Sequence, residues 1–135
     1  MNLQLIFRVN GAILFINGLF FLFLTEMFLG MAGLDMTPQL QTLAQGLGVS
    51  LIAVAILSWR TPDIAGSAVE SYGQLFAIIG LLWVLLLGFH GATGQVSGPP
   101  LFGNLAINVV LAVLFFITAH KYSCNIFCRF KYVSI

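Results

Sequence analysis

The feature that most limits this chain is a stretch from Ser71 to His120 without a single charged side chain. It cannot be the outside of a water-soluble domain, where roughly a quarter of residues are charged. It is too long for one membrane helix, which needs about 20 apolar residues, and about right for two. Its middle reads Ala92-Thr93-Gly94-Gln95-Val96-Ser97-Gly98-Pro99-Pro100. Paired glycines and prolines among polar residues mark a loop. Two shorter charge-free runs, Val9 to Thr25 and Met36 to Trp59, come before it. All of these runs are continuously apolar rather than alternating, which sets aside a β-barrel. The expected fold is all-α: an integral membrane four-helix bundle running up-down-up-down. Its spans fall at about residues 3–24, 38–59, 68–91 and 103–122, with 123–135 left as an interfacial tail.

Composition narrows the function classes. Hydrophobic residues make up 60% of the chain and charged ones 7%. A net charge of +1 cannot neutralise the phosphates that nucleic-acid binding requires. The partners expected are membrane lipids and other transmembrane subunits.

Helix-start chemistry refines the boundaries. Thr37 followed by Pro38 reads as an N-cap with proline at the first helical position, where no N–H is needed. Ser67-Ala68-Val69-Glu70 reads as a capping box for the third span. Thr61-Pro62 is a competing start for the same helix. The first span sits where a signal peptide would. Its apolar stretch is longer than a usual signal core, and Gly30-Met31-Ala32 is a weak cleavage pattern, so it is read as a helix.

Basic residues set the orientation. With four spans, Arg8, Arg60, Lys121, Arg129 and Lys131 all fall on one side. The positive-inside rule makes that side cytoplasmic. The expected location is a bacterial inner membrane, multi-pass, with both termini in the cytoplasm.

Within a bilayer, small residues and buried polar groups must bring helices together, because lipid tails are as apolar as leucine. Gly48 and Ala44, Ser50 and Gly46, and Gly73 and Ala77 are pairs four residues apart. Asn10 and Asn17 share a face of the first span, and Asn104 and Asn108 a face of the fourth. An amide in hydrocarbon must find a partner. Asn17, Gln45, Gln74 and Asn108 are therefore expected to face inward, joined across helices by hydrogen bonds. No ionisable group reaches the midplane, which argues against proton- or ion-coupled transport.

His90, in Leu87-Gly88-Phe89-His90-Gly91, is the one candidate cofactor ligand. Small neighbours can let a flat macrocycle approach, so a haem or a (bacterio)chlorophyll on His90 stands as a minor alternative to no cofactor at all. His120 lies at the other end of the membrane, so the two could not clamp one haem. The chain carries no serine elbow, HExxH, P-loop or dinucleotide fingerprint, and it is read as non-catalytic.

In the tail, Tyr122, Phe127, Phe130 and Tyr132 interleave with Lys121, Arg129 and Lys131. Rings at headgroup level with cations beside them form an interfacial anchor. Cys124 and Cys128 share a helix face on the expected cytoplasmic side, where thiols stay reduced. The tail offers too few further ligands for a metal site.

Phe7-Arg8-x-x-Gly11, Gly33-Leu34-Asp35-x-Thr37, and Gln45-Gly46-x-Gly48 through Ser58-Trp59 carry a resemblance to small four-span bacterial inner-membrane proteins of uncharacterised function. It covers roughly residues 5 to 120 and leaves the tail outside. To DoxX-type four-helix membrane proteins the chain is similar only in size and span count. These likenesses imply a fold and no activity. The function expected is a non-catalytic accessory subunit packing against a larger membrane complex. The alternatives are a small carrier for a neutral or apolar solute, and a pigment-bearing subunit of a redox or light-harvesting complex.

Overall fold

The computed structural model describes residues 2–133, with side chains through Lys121. The tail anchor residues Tyr122, Phe127, Arg129, Phe130, Lys131 and Tyr132, with Cys124 and Cys128, lie outside the described side chains. The fold is all-α. Five α-helices follow in order: α1 (Leu3–Phe23), α2 (Thr25–Met31), α3 (Pro38–Ile64), α4 (Val69–Ala92) and α5 (Pro99–Val133). Four of them are long and apolar enough to cross a membrane. This is a multi-pass membrane protein.

Local chemistry explains most boundaries. Asn2 caps α1, its side chain accepting from the Gln4 N–H. Thr37 caps α3 by accepting from the Leu40 N–H at 3.2 Å, with Pro38 at the first position. α2 was not expected. The chain breaks at Leu24, where the Thr25 hydroxyl turns back to the Phe21 carbonyl, and one more apolar stretch winds up. Phe28 then lies on Phe20 and Phe21, which gives this short helix a seat.

The α3–α4 connection corrects two expectations. Thr61-Pro62 does not start a helix; it closes α3, which runs on to Ile64. Pro62 lacks the N–H that would bond the Ser58 carbonyl, and α3 ends two residues later. The capping box Ser67–Glu70 does not form. A single 3-10 turn, Gly66–Ala68, leads into α4, whose N-cap position is Ala68 with no side-chain cap bond. The left-handed φ of +52° at Gly66 makes that sharp entry possible. α5 also begins earlier than expected, at Pro99, since proline suits a first helical turn.

The four long helices form two antiparallel pairs. α1 packs along α3, and α4 along α5; contacts between the pairs are fewer. Glycine sets the α1/α3 distance. A Cβ at Gly18 would lie 2.9 Å from the Gly48 carbonyl oxygen, and one at Gly48 2.9 Å from that of Gly18. Any larger residue would push the two backbones apart. Gly73, Ala77, Gly80, Ala112 and Ala119 serve the α4/α5 seam in the same way. One end of the bundle holds Arg8, Arg60 and Asp63, and is called the basic end. The other is the loop end.

Candidate functional site: an amide-lined cleft between two helix pairs

At the basic end the pairs meet through rings. Phe7 of α1, with no exposed surface, packs edge-on against Phe76 at 5.2 Å and Phe115 at 4.8 Å. Leu3, Ile6, Ala77 and Leu111 complete this cluster. Beside it, the Asn10 amide donates to the Ser58 hydroxyl at 3.0 Å, and Ser58 donates to the Phe7 carbonyl at 2.8 Å. This short relay ties α1 to α3.

Toward the loop end the pairs draw apart. Two adjoining cavities occupy the gap. One, of about 170 Å³, is lined among others by Asn10, Ser50, Leu51, Phe76, Trp83 and Asn108. The other, of about 90 Å³, is lined by Leu14, Asn17, Leu47, Trp83, Asn104 and Asn108 among others. Helices α1, α3, α4 and α5 all contribute. Asn17 donates to the Asn104 side-chain oxygen at 3.2 Å, the one side-chain bond between α1 and α5 among the described residues. Asn104 and Asn108 spend their own N–H groups within α5, on the carbonyls of Pro100 (3.1 Å) and Asn104 (2.8 Å). The cleft thus presents amide oxygens and a tryptophan within apolar walls. Such a surface can accept hydrogen bonds from a neutral group.

Loops meet at the loop end. The Ser97 N–H donates to the Ala32 carbonyl at 3.0 Å, joining the α2–α3 and α4–α5 connections. Gly98, with φ +81°, lies so close to the Met31 carbonyl that no side chain would fit.

The structure sorts the residues singled out by sequence. Asn17 and Asn108 are half-buried at the cleft. Gly48 and Gly73 are buried in the α1/α3 and α4/α5 seams. Gln74 is a correction: it is exposed on the outer side of α4, because the inward stripe there is the small-residue line Gly73, Ala77 and Gly80. Ser50 does not join helices; exposed, it donates to the Gly46 carbonyl of its own helix at 3.0 Å. Gln45 lies in an open groove beside the α1–α2 break, with Gln41 and Glu26, rather than in the interior. His90 sits at the loop end with Nδ1 2.6 Å from the Gln95 amide oxygen. Nδ1–H donates in that pair, leaving Nε2 as the nitrogen that a metal would use. The described residues contain no group of three metal-ligating side chains.

Sequence reasoning missed the Asn10–Ser58 relay, Asn104 as the partner of Asn17, and Trp83. A signal was present for the first. Asn10 shares a face with Asn17, and Ser58 continues the stripe of Ala44, Gly48 and Ala55 along α3. Phe7, Arg8, Gly11, Ser58 and Trp59 all meet at the basic end of the α1/α3 seam. Comparison with protein-family models, curated proteins and solved structures finds no match for this chain.

Proposed function

We propose that this chain is a non-catalytic accessory subunit that packs against a larger complex in a bacterial inner membrane, both termini cytoplasmic. The observation carrying this reading is the asymmetry of α4. Of the most apolar stretch of its span, 6% is buried within the chain, against 28% for α1. The outward amide of Gln74 sits on that same helix, and an amide beside hydrocarbon gains from a partner. The interior supports the same reading. Cavities of about 90 and 170 Å³ fall below the roughly 300–1,000 Å³ of ligand sites. A photo-crosslinker at Leu82 or Leu85, both outward on α4, is expected to join one stoichiometric membrane protein in native membranes. Labelling of lipid alone, with recovery as a free monomer in gentle detergent, would overturn the proposal.

The convergence of Asn17, Asn104 and Asn108 on one cleft favours a second reading, a small carrier for a neutral solute. Flux through liposomes containing the protein tests it. Flux that is unchanged by Asn108→Leu removes the cleft as the path.

A further inference from the structure

Outside the bundle, the α1/α3 seam bears an apolar trough of about 410 Å³. Its floor is Gly11, Ala12 and Ala55, and its walls are Phe15, Ile56 and Trp59. The trough follows from the close approach that glycine permits. A Cβ at Gly11 would lie 3.0 Å from the Ala55 carbonyl oxygen, so nothing but backbone and methyl groups fills the seam. The larger side chains stand up on either side, with Phe15, Ile56 and Trp59 all about half exposed.

The trough ends at charge. Arg8 precedes Ala12 by one helical turn on the same face, and Arg60 follows Ile56 by one turn on α3. Both guanidinium groups reach a single carboxylate, Asp63, at 3.5 Å and 3.7 Å. Two cations share one anion, so the mouth of the trough is left with one net positive charge. The arginine side chains remain 51% and 62% exposed. Each guanidinium offers five N–H donors in a fork that matches phosphate oxygens, more than one aspartate can use. Trp59 stands beside them, at the depth where tryptophan marks the membrane interface.

We propose that this trough binds one anionic phospholipid, its phosphate on Arg8 and Arg60 and one acyl chain along Gly11, Ala12 and Ala55. Charge selects this occupant over others. A helix from another protein would fill the trough but leave the guanidinium forks to water. A second copy of this chain, docked symmetrically, would bring an identical positive mouth against this one.

Trp59 supplies the readout. The chain has two tryptophans, and Trp83→Phe leaves Trp59 as the sole fluorophore. That variant is reconstituted into phosphatidylcholine vesicles containing either acyl-brominated phosphatidylglycerol or acyl-brominated phosphatidylcholine at equal mole fraction. Brominated phosphatidylglycerol is expected to quench Trp59 with an apparent affinity about fivefold higher, the value of one net cation at a membrane surface. Arg8→Gln with Arg60→Gln should abolish that preference, whereas Arg8→Lys with Arg60→Lys retains it. Ala12→Phe fills the trough without touching the arginines, and should also abolish it. Equal quenching by the two lipids overturns the proposal. So does a preference that survives the double glutamine variant or Ala12→Phe. Absence of quenching by either lipid also overturns it, since protein would then cover the trough.

Discussion

The two ends of the bundle are built from the same four helices and solve the same problem differently. At the basic end, rings from α1, α4 and α5 interlock around Phe7, and the Asn10–Ser58–Phe7 relay bonds α1 to α3. At the loop end the pairs part, amides line a gap, and one bond of 3.2 Å between Asn17 and Asn104 spans it. In lipid, burial of apolar surface gives little reason for helices to associate, so packing and hydrogen bonds decide. The basic end has both in full. The loop end has a sparse version of each, so it is the end that can yield.

Mutations can break that contrast. Phe115→Ala should cost most, about 3 kcal/mol, because it empties the centre of the ring cluster and the helix backbones cannot close the void. Steric-trapping or detergent unfolding in bicelles measures it. A cost under about 1 kcal/mol would mean that the rings are no better packed than the lipid they replace. Ser58→Ala should come next, at about 1.5 kcal/mol, near the upper end for interhelical hydrogen bonds in membranes. It strips the Asn10 amide of its acceptor in a buried position. Asn17→Leu at the other end should cost least, about 0.6 kcal/mol, the average for such bonds. If Asn17→Leu proved as costly as Ser58→Ala, the two ends would be equally fixed and the contrast would fail.

The sequence made the spans legible because a bilayer demands long apolar runs, and the Thr37-Pro38 start because capping is local chemistry. Facing direction was far less legible. In water a helix advertises its inner face by hydrophobicity. In lipid the outer face is as apolar as the inner one, so that signal disappears. Gln74 illustrates the point: its amide suggested the interior, but the small residues Gly73, Ala77 and Gly80 determine which way α4 turns. Ser50 shows a second limit. A hydroxyl in a helix can satisfy itself on the carbonyl four residues back, so its presence does not imply a neighbour. The cleft was half visible. Asn17 and Asn108 stood out as amides in hydrocarbon, while Asn104 and Trp83 joined them only through the register between α1, α4 and α5. The short helix α2 was hidden because its seven residues carry no period of their own and depend on Phe28 finding Phe20 and Phe21.

The division of labour between hydrogen bonds and rings has a bearing on synthesis. Asn10, Ser58 and the Phe7 carbonyl all belong to the part of the chain that ends at Ile64. A nascent chain emerges from its N-terminus first. The α1/α3 hairpin can therefore close, with its buried amide already satisfied, while α4 and α5 are still being made. Phe7 has to wait for Phe76 and Phe115. Docking of the second hairpin onto the first is then the last step within the bilayer, and a truncated chain should stop at a hairpin that has its Asn10–Ser58–Phe7 relay, lacks the Asn104 partner of Asn17, and is open along one aromatic edge.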